Sequence, residues 1–116
     1  MRFALLVALG AASIYACSSP TGVTTANSCG SSGASANIGA TDGLVFSPSA
    51  ATIAHGQSVC WQNNGNISHT VTTNDGTSIN ASLTPGHILL HTFPTAGSYP
   101  YRCTIHAGMT GTITVN

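Results

Sequence analysis

The chain has 116 residues, enough for a single modest hydrophobic core, and charged residues make up only 3% of it. It contains neither Lys nor Glu; its charges are Arg2, Arg102, Asp42 and Asp75. This argues against a nucleic-acid surface, which needs clustered Lys and Arg to displace counterions, and against an electrostatically steered partner.

Residues 1–16 read as a secretory signal peptide: Arg2 precedes an apolar run from Phe3 to Ala16 that is too short to cross a bilayer. The run ends Ile14-Tyr15-Ala16-Cys17-Ser18, which resembles a bacterial lipobox, with Tyr15 where a small residue is usual. Cys17 is therefore the expected lipid anchor, and an ordinary cleaved signal is the alternative. Either way the protein is exported, to the periplasm or the cell surface, where disulfides form. Residues 17–36 are mostly Ser, Gly, Thr and Ala and have little to bury, so a flexible linker is expected there, with the folded domain over 37–116.

From Asn37 onward, short runs alternate with turn signals, as in an all-β sandwich. Ile38 opens a strand, Thr41-Asp42-Gly43 turns, Leu44-Val45-Phe46 resumes, and Ser47-Pro48-Ser49 interrupts. After the His55-Gly56 turn, Ser58–Gln62 alternates, with Val59 and Trp61 on one face and Cys60 on the other. A loop, Asn63-Asn64-Gly65-Asn66, leads to the β-branched run Ser68–Thr73 and the turn Asn74-Asp75-Gly76. Asn80–Pro85 could form a short helical turn. His87–Phe93 reads as a strand, Thr95-Ala96-Gly97 as a turn, and two further strands flank the loop that begins at Cys103. The expected architecture is a Greek-key β-sandwich of seven to eight strands.

Four cysteines divide among three roles. Cys17 belongs to the signal boundary and Cys103 to the C-terminal loop, which leaves Cys29 and Cys60 as an even remainder in an oxidising compartment. Because Cys60 points away from the Val59/Trp61 face, a tail segment ahead of the first strand could reach it, and a Cys29–Cys60 disulfide is expected.

The loop carries Cys103-x-x-His106-x-x-Met109, three soft or borderline metal ligands between two strands. His69, opening a strand after an Asn/Gly loop, is the best fourth. Two imidazoles, a thiolate and a thioether suit copper, since sulfur favours Cu(I) while imidazole tolerates Cu(II). Zinc accepts Cys and His too but gains little from Met, so it is a misloading hazard rather than the expected cofactor. His87 and His91 stand four apart, roughly 13 Å along a strand, too far to chelate together; His55 sits in a turn.

Further residues carry a family resemblance that runs from about Ile38 to Val115. Asp42-Gly43 with Phe46-x-Pro48, then Gly56-Gln57-Ser58-Val59-x-Trp61-x-Asn63-Asn64 before His69-Thr70-Val71, resemble the first hairpin and first-ligand strand of small blue copper proteins. Phe93-x-x-x-Gly97-x-Tyr99-x-Tyr101-x-Cys103-x-x-His106-x-x-Met109-x-Gly111-x-Ile113-x-Val115 resembles their C-terminal signature. The sequence is thus similar to cupredoxins of the plastocyanin and amicyanin kind, and the two-residue gap between His106 and Met109 is amicyanin-like. Ser68, Thr70 and Cys60 stand where many members carry Pro, Asn and Thr.

The resemblance implies one copper ion held by His69, Cys103, His106 and Met109. It also implies one-electron, outer-sphere transfer through the edge of His106, whose expected surroundings are Gly65, Ile67, Ala107 and Gly108. The Thr70 hydroxyl would tie the first ligand strand to the Cys103 loop. Redox proteins would dock there through an apolar, nearly salt-independent contact, and the chain is expected to be monomeric, reaching a membrane only through a lipid on Cys17. An enzyme is not expected, because multicopper oxidases flank this cysteine with histidines and Arg102 and Thr104 stand there instead. A tethered copper-binding or delivery protein is the alternative function; a metal-free adhesive sandwich requires the ligand set to be chance.

Overall fold

The computed structural model describes residues 28–116, so the expected signal peptide, Cys17 and the start of the linker lie outside the described residues. Nine strands form two sheets. Strands β1 (Ala36–Ala40), β2 (Phe46–Ser47), β4 (Ser58–Asn63) and β7 (Ile88–Thr92) make a four-stranded sheet in the order β2-β1-β4-β7. Strands β3 (Ala50–Ile53), β5 (His69–Thr73), β6 (Asn80–Leu83), β8 (Gly97–Arg102) and β9 (Thr110–Val115) make a five-stranded sheet ordered β3-β9-β8-β5-β6. Among the described residues there is no α-helix.

Alternation decides which faces meet. In β4, Val59 and Trp61 point into the sandwich and are fully buried; across the core, Val71 of β5, Tyr101 of β8 and Ile113 and Val115 of β9 close over them. The centre is aromatic: the Tyr101 ring meets Phe46 and Trp61 edge-on, with centroids 4.8 and 5.4 Å apart. Gly111 faces Tyr101 across the β8–β9 ladder, and a Cβ at that position would overlap the tyrosine ring. The ring therefore fits against β9 there because position 111 has no side chain. Burial pushes the Tyr101 hydroxyl up to about 12, against the opposing pull of the Trp61 side chain.

Three expectations change. The strand count is nine because Ala50–Ile53 is also a strand: it joins the sheet edge as a parallel partner of β9, a long-range pairing that its Ala-rich, four-residue sequence does not announce. Asn80–Leu83 is a strand rather than a helical turn, since it pairs antiparallel with β5 from His69↔Leu83 to Thr72↔Asn80. The third concerns the flexible linker. Its last part is folded: Cys29–Ser31 form a 3-10 turn over the outer face of β4, Ser35 N–H donates to Ser58 O, and β1 already begins at Ala36. The reason is the expected disulfide, Cys29–Cys60, with Cα atoms 5.6 Å apart. Cys29 N–H also donates to Gln62 Oε1 at 3.0 Å, fixing the turn a second time.

A smaller shift affects the first hairpin. Leu44 and Val45 belong to the turn, with Leu44 at φ 60, and both side chains are exposed. Thr41 N–H donates to Val45 O and Leu44 N–H to Thr41 O, closing the turn around Asp42.

Candidate metal centre

β8 ends at Arg102 and β9 starts at Thr110, so the seven residues Cys103–Met109 form the connecting loop at one end of the sandwich. Cys103 N–H donates to Met109 O at 2.9 Å and Met109 N–H to His106 O at 3.3 Å, which turns the loop back on itself. β5 runs antiparallel to β8 with Thr72↔Arg102 and Thr73↔Tyr101. Continuing that register carries His69, the first residue of β5, past the end of β8 and level with the loop.

The structure gathers three of the four expected ligands tightly. Donor atoms of His69, Cys103 and His106 all lie within 4.8 Å of one another. His69 Nδ1 and His106 Nδ1 face each other at 3.2 Å, and Cys103 Sγ is 3.5 Å from His106 Nδ1. Metal–nitrogen bonds of about 2.0–2.1 Å and a metal–thiolate bond of about 2.3 Å put neighbouring donors roughly 3–4 Å apart, so this spacing fits one ion. Met109 is buried at the base of the same loop. His69 and Cys103 are also buried, whereas His106 is partly exposed.

Neighbouring groups hold the set in place. The Thr70 hydroxyl accepts Thr104 N–H at 2.8 Å and lies 3.0 Å from the Thr104 hydroxyl, so it ties β5 to the cysteine loop as expected. Thr70 N–H points at Cys103 Sγ from 3.3 Å. Hydrogen bonding to the sulfur is one of the levers by which a protein tunes a copper–thiolate site. Burial lowers the His69 imidazole below the ordinary histidine range, and the neighbouring His106 lowers it further; the Asp42 carboxylate and the Thr41 backbone pull the other way. A neutral imidazole with its lone pair free is the form that ligates a metal.

Two residues that enter the sequence reading as part of the resemblance, with no role of their own at the site, shape this end. Asn63 is completely buried and fully used: its Nδ2 donates to Ile67 O and Leu83 O, and its Oδ1 accepts Gly65 N–H. Asp42 grips the same loop from outside, accepting Asn66 N–H at 2.9 and 3.1 Å on its two oxygens and Ile67 N–H at 3.2 Å. The available signal is composition, since Asp42 is one of only two side-chain carboxylates in the chain.

The remaining histidines stay apart from the centre. His55 Nδ1 donates to Asn116 O at 3.0 Å, and His87 Nδ1 lies 2.8 Å from the Thr84 hydroxyl in the β6–β7 turn. His91 packs edge-on against Phe93 with centroids 4.8 Å apart, where burial lowers its pKa.

The family model of copper binding proteins, plastocyanin/azurin family, matches residues 33–116, the stretch that builds this end and the core beneath it. This chain is a member of the plastocyanin/azurin family. It is 39% identical to plastocyanin of Scenedesmus fuscus over 92 residues, covering 67% of this chain and 94% of that protein. It is 33% identical to plastocyanin of Lactuca sativa over 95 residues, covering 68% and 96%. Among solved structures it superposes on a purple cupredoxin from Nitrosopumilus maritimus with a TM-score of 0.62 at 26% identity, covering 70% of this chain and 99% of that one. Amicyanin from Paracoccus versutus gives the same TM-score and identity, covering 70% and 80%. The family consists of small blue copper proteins that bind one copper ion and carry electrons, and the donor atoms of this cupredoxin suit that ion.

Proposed function

We propose that this cupredoxin works outside the cytoplasm as a type 1 copper carrier of single electrons, with His69, Cys103, His106 and Met109 as its ligands and the edge of His106 as the point of contact with redox partners. The observation that carries the reading is the convergence of His69, Cys103 and His106 donor atoms within 4.8 Å, with His106 alone of the four side chains reaching solvent. Bound there, copper supplies a one-electron couple between Cu(I) and Cu(II). The protein's part is to exclude water with buried His69, Cys103 and Met109, and to keep the donors in place through Thr70. With every position filled by protein there is no open site for a substrate.

Export is supported by the signal-like N-terminus and by a disulfide that needs an oxidising compartment. We place the protein in the periplasm or on the cell surface, anchored through Cys17, as a monomer. Around His106 the surface is apolar: Ile105 and Ile67 are 57% and 39% exposed, and Ala107 and Gly108 lie open beside them. Docking is therefore apolar and nearly independent of salt.

Adding Cu(II) to the purified protein tests the reading. An intense blue thiolate-to-copper absorption is expected, with slow copper loss to a chelator and an electron self-exchange rate that barely changes with added salt. Met109→Leu should keep the colour and raise the potential. A colourless copper complex defeats the assignment, and rapid handover of Cu(I) to a chelator would point to delivery rather than transport of electrons.

A further inference from the structure

Resting on the assignment of His69 as a copper ligand, we propose that Asp42 is a positioning residue for that ligand: its carboxylate bolts the Asn64–Ser68 loop to the first hairpin and places a fixed negative charge beside the metal centre. The loop that carries His69 into β5 has no strand partner of its own. Its backbone N–H groups at Asn66 and Ile67 are directed instead at a single side chain, three contacts to one carboxylate from 24 and 25 residues away. Hydrogen bonds to a charged acceptor are the strong ones, and they hold the last turn before His69.

Gly65 makes the approach possible. A Cβ at that position would overlap the Asp42 carboxylate, so the glycine is a notch into which the acid fits. From the inside Asn63 holds the same loop by Gly65 N–H and Ile67 O, so Asp42 and Asn63 grip it from opposite sides. Asp42 also stands apart electrically. Among the described residues the other charged side chains are Asp75 and Arg102. Asp75 lies beyond the far end of β5 from His69, and Arg102 reaches back toward it, donating to Asn74 Oδ1 at 3.2 Å. Asp42 is thus the one acid whose charge acts at the His69 end, and a negative charge held there favours the more oxidised, more positive state of the site.

Three variants of the full chain, loaded with copper beside the wild type, test this. Asp42→Ala should lose copper to a chelator about 10- to 100-fold faster, the usual cost of removing a group that orients a ligand. Its blue band should also shift or broaden as His69 gains freedom. Gly65→Ala, which pushes the carboxylate out without altering it, should reproduce that loss. Asp42→Asn keeps an oxygen for the loop N–H groups, so the band should be restored while the potential stays above that of the wild type, since the charge is gone. A blue wild type whose Asp42→Asn and Gly65→Ala variants match it in band, potential and copper loss overturns the proposal while leaving the ligand assignment standing. A colourless wild type removes the ligand assignment and this proposal with it.

Discussion

At one end of the sandwich Cys103 is a buried free thiol that meets two imidazoles and a backbone N–H from Thr70. On the outer face of the four-stranded sheet Cys60 is bonded to Cys29, under a turn that is itself pinned to Gln62. The two sulfurs differ in what surrounds them and in what the chain asks of them. Cys60 sits mid-strand, where alternation turns it away from the core and toward an N-terminal segment with little apolar surface to bury. Cys103 sits one residue past a strand end, where the backbone is free to curl and bring several side chains to one point. An oxidising compartment would couple any two accessible thiols, and consuming Cys29 and Cys60 in one bond leaves the third with no partner in the folded domain. The lesson is that the staple and the metal site are complementary: one closes the chain's entropy, the other keeps its reactive group available.

The comparison can be broken most completely at the loop. Cys103→Ser should abolish the blue absorption outright while circular dichroism still reports a β-sandwich, because the exchanged side chain is small and the core aromatics do not depend on it. The opposite cut is Cys29→Ser with Cys60→Ser. The bridged residues are 31 apart in sequence, so removing the bond should lower stability by about 3–4 kcal/mol in a denaturant titration of the protein, with the blue band intact. If the band of that double variant changed as much as its stability, the two regions would not be separable.

The smallest expected effect lies apart from the ligand loop, at His91. Burial holds its pKa below the ordinary histidine value of 6.5. The unfolded chain therefore binds more protons than the folded one between those two values, so the stabilising contribution is complete above about pH 6.5 and is lost as the pH falls through the folded value. His91→Leu should flatten that acid slope in stability measured by denaturant midpoint from pH 7 down to pH 5. Met109, His69 and the blue band should be indifferent to it, since the His91 ring packs on Phe93, in the β7–β8 connection away from the ligand loop.

Much of this is legible in the sequence. The Cys103–Met109 spacing points to its chemistry, because a thiolate, an imidazole and a thioether within seven residues on a turn suit one soft-to-borderline metal ion. The face assignment of Cys60 followed from period-two alternation next to Trp61, and it led directly to Cys29. The parts that were not legible share a cause. Ala50–Ile53 and Asn80–Leu83 are strands because β9 and β5 offer them free edges, and no local propensity carries that information. The end of the expected linker is ordered because a Ser/Gly/Ala segment, with little to bury, is held by the crosslink.

What the sequence indicated by itself, then, was the candidate donors, of which the structure gathers His69, Cys103 and His106, together with the class of fold and the disulfide. Those rest on residue chemistry and on spacing within a few residues. What only the tertiary structure decided was the arrangement that makes the donors a site. His69 stands 34 residues before Cys103, and it meets the loop through the β5–β8 register, the Thr70 tie and the paired grip of Asn63 and Asp42. The register, the Thr70 tie and the Asp42 grip each join distant parts of the chain, and long-range contacts of this kind are set by packing and not by local pattern.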